Sequence, residues 1–174
     1  MIIKGEIISQ PNSGEFPERI YDNNSPWNSN NWTCVKFTEN NYSEWCGQFR
    51  GFPRQVSVSE KHNICLVLTS DYLFQLNLLT GNLMKFEDQP QYYNLSVSPN
   101  GDFIISDSFQ IEKIGNDINK KELIISPIQM DFIKFNGWQN NIMEFTCDEF
   151  LNWNKHLVME YDSNRNDIKI KKIN

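Results

Sequence analysis

Along the chain, apolar and polar positions alternate in short runs rather than in long helical stripes. From Trp32 the segment "WTCVKFT" alternates with period two, "NN" and "YSE" supply a turn, and "WCGQFRGF" gives a second strand ended by Gly51 and Pro53. Residues 32–54 therefore read as a hairpin. In "VSVSEKHNICLVLTSDYLFQLNLLTGNLMKFED" apolar runs are broken by Glu60-Lys61-His62-Asn63, by Ser70-Asp71 and by Thr80-Gly81-Asn82, which predicts strands joined by tight turns over 55–88. "LSVSPNGDFIISDSFQIEKI", Leu95 to Ile114, repeats the idea within 94–127, with Pro99-Asn100-Gly101-Asp102 as its turn. Residues 1–31 read as an irregular arm, rich in Asn, Pro, Ser and Gly from residue 10 onward and docked by Phe16, Tyr21 and Trp27. Over 130–174, Asn136-Gly137 reads as a turn inside "DFIKFNGWQNNIMEF", and Asp148 as the N-cap of at most one short helix near 148–155. A hairpin of "LVMEY" and "DIKIKKI" around Asp162 to Asn166 closes the chain.

The two best-formed stretches share one rhythm. Val56 to Leu66 overlays Leu95 to Ile105 at an offset of 39, with "SVS" identical at Ser57–Ser59 and Ser96–Ser98. After a one-residue deletion the offset is 38, matching Leu66 to Ile104, Leu73 to Ile111 and Leu76 to Ile114. A period near 40 built of short strands is the mark of a β-propeller blade. "VSPNGDFIISDS" resembles the turn and following strand of WD40-type repeats, and "LFQLNLLTGNLMKF" their outer strand pair, although the Trp-Asp dipeptide is absent. The expected fold is all-β, one domain spanning 1–174. It would hold two to four blade-like antiparallel sheets of about 40 residues each, stacked as a partial or open propeller. Residues 55–88 and 94–127 are the clear repeats and 130–174 a weaker one.

Composition sharpens this picture. The chain of 174 residues holds no alanine but 23 asparagines, 19 isoleucines and 12 phenylalanines, which disfavours long helices and favours strands and turns. Its net charge is -6, so it is not expected to bind nucleic acid or an anionic membrane directly. Lys4 and Glu6 interrupt any signal-peptide core, and no apolar run approaches the ~20 residues of a membrane helix, so a cytoplasmic location is expected. Cys34, Cys46, Cys65 and Cys147 lie far apart without a CxxC pair and read as reduced core thiols, not a metal site.

The chain carries no hydrolase elbow, nucleotide loop, dinucleotide fingerprint or zincin string, and neither His62 nor His156 sits near a nucleophile motif. "DSNRND", Asp162 to Asp167, lacks the glycine and distal glutamate of a calcium loop. A binding protein without cofactor or catalytic residue is the expectation. A small, acidic, β-rich chain of this kind resembles, in profile and in the wording of "EWCGQFRGF" to "LFQLNLLTG", the immunity proteins of contact-dependent growth-inhibition and related bacterial toxin systems. The resemblance implies a one-to-one inhibitor of a toxin domain, often an RNase, whose basic cleft an acidic surface can occupy. Charged groups at turns and strand ends with an aromatic anchor are then the candidate contacts: Asp71, Asp107, Glu112, Asp148 and Glu149, with Trp138 beside the Asn136-Gly137 turn. Two rivals remain open. One is a propeller-like scaffold with many partners, and the other a protein acting on or binding sugars through carboxylates and the five tryptophans, Trp27, Trp32, Trp45, Trp138 and Trp153.

Overall fold

The computed structural model describes residues 1–23 and 25–173; the side chains of Trp153, Lys172 and Ile173 lie outside the described part. All regular structure among these residues is β. The chain divides into two compact units, Met1–Pro90 and Gln91–Asn174, each made of two four-stranded sheets of blade-like size.

In the first unit β1 (Ile2–Ile8), β2 (Glu18–Tyr21), β3 (Trp32–Glu39) and β4 (Glu44–Arg50) form one sheet in the order β1-β3-β4-β2. The β3–β4 hairpin is the one the alternation predicts. The arm supplies two strands instead of irregular chain. β1 pairs antiparallel with β3, and β2 pairs parallel with β4, the one departure from the antiparallel sheets expected. β1 and β2 thus run in the same direction, which requires residues 9–17 to carry the chain back across the sheet before β2 begins. Tyr21 anchors β2: its ring stacks on Phe49 at 4.5 Å and its hydroxyl donates to the Gly81 carbonyl at 2.6 Å. Trp27, expected to help dock the arm, is instead 72% exposed.

The second sheet of this unit runs β5 (Pro53–Ser59), β6 (Ile64–Thr69), β7 (Tyr72–Asn77), β8 (Leu83–Asp88) in sequence order. Its apolar face meets that of the first sheet in a core of Val35, Phe37, Phe49, Val67, Phe74 and Leu76.

In the second unit, β9 (Asn94–Val97), β10 (Phe103–Ser106), β11 (Ile111–Ile114) and β12 (Lys121–Ile124) make one meander, and β13 (Met130–Gln139), β14 (Ile142–Glu149), β15 (Asn152–Asp162) and β16 (Asp167–Ile173) the other. The repeat seen in sequence is a repeat of pairing. Ser57 faces Leu66 as Ser96 faces Ile104, and Leu68 faces Leu73 as Ser106 faces Ile111. The deleted residue falls in the hairpin turn, which is why the offset changes from 39 to 38 there. Ile104, Ile111, Met143, Phe145, Met159 and Tyr161 build the core between the sheets.

Two polar side chains tie these sheets together. The buried Asn94 amide donates to the Ser106 hydroxyl (2.8 Å) and the Ile133 carbonyl (2.9 Å) and accepts from the Phe135 amide (3.3 Å). Trp138 donates its indole N–H to the Ser96 hydroxyl at 2.8 Å and lies edge-on to Tyr161.

One local expectation fails. Asn136-Gly137 lies inside β13 at an irregularity of register, and the turn comes at Asn140-Asn141. Of the at most one short helix expected near 148–155, none forms: Asp148 pairs with His156 across a hairpin whose loop is Phe150-Leu151. Burial of Met143, Phe145 and Cys147 follows a period of two, and that pattern overrides the local capping signal.

Candidate partner-binding groove

The second unit holds an open groove of about 540 Å³ lined by Phe109, Phe150, Leu123, Ile125, Ile128 and Met130, among others. Short polar devices hold its walls. In the β10–β11 loop the Asp107 carboxylate accepts the backbone N–H groups of Phe109 (2.7 Å) and Gln110 (2.8 Å), an Asx turn that leaves Phe109 55% exposed. In the β14–β15 loop the Phe150 amide donates to the Gln129 carbonyl at 3.0 Å, while Glu149 accepts from Asn152 (2.9 Å) and Lys155 (3.1 Å). Phe109 and Phe150 then meet edge to face, ring centroids 6.1 Å apart. A second cleft of about 330 Å³ is lined by Tyr93, Ser108, Phe132 and Ile133.

Four carboxylates neighbour the groove-lining residues in sequence or in strand register. Asp107 opens the loop that carries Phe109, and Glu112 lies opposite Leu123 in the β11–β12 register. Asp148 and Glu149 lead into Phe150; Asp148 contacts the Nδ1 of exposed His156 at 2.6 Å. Hydrogen bonds from Asn152 and Lys155, with the lysine charge, hold the Glu149 carboxyl below its usual range, so it is anionic at neutral pH. None of these four carboxylates, each a sequence-predicted contact, lines the groove itself; Asp107, Asp148 and Glu149 lie within two residues of Phe109 or Phe150 in sequence, and Glu112 neighbours Leu123 in register.

The other two serve the interior. Asp71 belongs to the first unit and is only 5% exposed, its carboxylate accepting from the Ser29 amide (2.7 Å) and the Ser70 hydroxyl (2.6 Å). Burial opposes its ionisation, but those bonds and the Arg50 charge outweigh burial and hold its pKa below the ordinary value. Trp138 is half-buried against the core and its N–H is occupied by Ser96, so it is a strap between sheets rather than an exposed anchor. The two misplacements have different local causes. A turn acid beside free backbone N–H groups is drawn inward, and the Asn136-Gly137 pair behind the Trp138 expectation is a bulge.

Sequence reasoning missed the apolar members of the surface: Tyr93, Phe109, Leu123, Ile125, Phe132, Phe150 and Leu151, all exposed. The available signal was the presence of Phe and Leu in loops such as "SDSFQ" and "DEFLN", where turn chemistry favours Asn, Asp or Gly. The thiols offer no competing chemistry at neutral pH. Burial raises all four, Cys46 and Cys147 up to about 11. Among the described residues no group of three or more His, Cys, Asp or Glu is placed to hold a metal ion, and no helix is long and apolar enough to cross a membrane.

No protein-family model matches the chain, and no curated protein matches it. Among solved structures it is similar to a chain in a complex of S. cerevisiae Dbp5 L327V bound to Nup159, Gle1 H337R, IP6 and ADP, at 9% identity and a TM-score of 0.47. The match covers 71% of this chain and 34% of that one, so the chain spans about a third of that neighbour's length. A likeness so distant carries no function across.

Proposed function

We propose that the protein is an immunity protein, a one-to-one inhibitor that binds a toxin domain and occludes its active site. The observation that carries this reading is the open apolar groove of the second unit, with Asp107, Glu112, Asp148 and Glu149 next to its lining residues in sequence or register, on a chain of net charge -6. Contiguous exposed apolar surface of this kind marks an interaction site. Its composition suits a basic partner: aromatic and aliphatic groups supply the affinity, and the acidic field speeds encounter. A nuclease presents such a partner surface, because its cleft must attract phosphates.

The test is co-purification with the protein domain encoded immediately upstream. The expected result is an equimolar complex in which that domain's toxic activity is lost and whose association slows as salt rises. A chain that ignores its genetic neighbours but captures several unrelated proteins would replace this reading with that of a general propeller-like scaffold.

A further inference from the structure

We infer that Phe132 and Leu151 are the side chains that insert into the basic partner domain, an assignment that rests on the function proposed above and names its contact residues. Both stand where the backbone does not welcome them. The chain adopts positive φ at Asn63 (61°), Asn140 (53°) and Asn166 (55°), residues that tolerate the left-handed region, at five glycines, and also at Gln89 (51°) and Tyr42 (65°). Phe132 (52°) and Leu151 (63°) occupy the same region with bulky apolar side chains. Neither regains the strain through packing, since Phe132 is 65% and Leu151 76% exposed. Of the apolar or aromatic residues in the left-handed region, only Phe132 and Leu151 belong to the second unit, at its cleft and beside its groove. A local rule broken without a packing gain points to function where it coincides with a binding surface, which holds for Phe132 and Leu151 and not for Tyr42.

Their positions agree. The β13 register shifts between Asp131 and Lys134, and this bulge displays Phe132 into the cleft it shares with Tyr93 and Ser108. Leu151 completes the β14–β15 loop next to Phe150, a wall of the larger groove. Met130 and Asp131 pair with Glu149 and Asp148 across β13 and β14, so both side chains emerge beside carboxylates. A matching partner surface offers two apolar sockets with lysine or arginine at their edges.

The opposing demands of folding and binding provide the test. Phe132→Asn and Leu151→Asn suit the left-handed backbone and are expected to raise the melting temperature by about 2 °C or more while weakening the complex with the upstream-encoded domain about tenfold or more. Tyr42, at φ 65° and 84% exposed in the first unit, is the control. Tyr42→Asn is expected to leave the affinity within about twofold, well short of a hot-spot loss. The inference is overturned if Phe132→Asn and Leu151→Asn bind as tightly as the unaltered chain, which would leave the proposed function standing. It is equally overturned if they lower the melting temperature, as structural residues would, or if Tyr42→Asn weakens binding as much as they do. Absence of any complex with the unaltered chain would remove both the function and this assignment.

Discussion

Replacing Asn94 by alanine would remove the amide that joins the two sheets carrying the groove. Its side chain satisfies the Ile133 carbonyl and the Phe135 amide as well as the Ser106 hydroxyl, and it is only 8% exposed, so water cannot readily take its place. A buried backbone group left without a partner costs about 1–3 kcal/mol. The Phe135 contact is long at 3.3 Å, and the Ser106 hydroxyl is free to rotate, so the lower part of that range applies to each backbone group. The expected loss is about 2 kcal/mol, a sizeable fraction of the 5–15 kcal/mol typical of a folded protein. It corresponds to a fall of about 4–8 °C in melting temperature for a chain of this size. Urea titration followed by circular dichroism measures the loss, and amide exchange at Phe135 localises it. Asn94→Asp keeps an acceptor for Phe135 but sets a carboxylate against the Ile133 carbonyl, so it is expected to cost at least as much. A loss below about 1 kcal/mol with the Phe135 amide still protected would refute the role given to Asn94.

Gly81 sits at φ +70° with space for a Cβ only 2.5 Å from an Arg19 guanidinium nitrogen and 3.0 Å from the Trp45 ring. Gly81→Ala is expected to cost about 2 kcal/mol and to hasten tryptic cleavage at Arg19 as β2 loosens, whereas unchanged cleavage would contradict this docking. Asp71 has a depressed pKa in the folded state, so its stabilisation is complete above the ordinary aspartate value of about 3.9 and is lost as pH falls through the lower folded value. Asp71→Asn should therefore reduce stability at neutral pH and flatten its fall below about pH 4; an unaltered acid limb would count against the bonds assigned to Asp71. With Cys46 and Cys147 raised to about 11 and all four thiols buried, labelling by a disulfide reagent at neutral pH should track unfolding, and rapid labelling of the native chain would contradict their burial.

Much of the fold is legible because turn chemistry is local. Ser-Pro-Asn-Gly, Leu-Thr-Gly-Asn and Asp-Ser-Asn-Arg-Asn mark turns from a few adjacent residues, and the repeat at offsets 39 and 38 survives as equivalent strand pairings. β1 and β2 escaped because their partners are distant in sequence. "IIKGEII" has no clear alternation, and the four exposed or edge residues of β2 gain their structure from β4. The bulge at Phe132 is invisible for a related reason: an inserted residue shows only when the opposite strand fixes the register. The apolar groove was not legible in the sequence, where the acids drew attention instead. Asp107, Glu112, Asp148 and Glu149 stand out as charges at strand ends, whereas Phe109, Phe150 and Leu123 look like ordinary core residues until exposure distinguishes them.

The proposed function meets its most direct test in stopped-flow association with the catalytic domain encoded upstream, measured across a salt series alongside that domain's activity. An equimolar complex that abolishes activity, with an association rate that approaches about 10⁸ M⁻¹s⁻¹ at low salt and falls steeply as salt rises, is the predicted result. No complex, or one whose association is indifferent to salt and leaves the activity intact, would contradict it.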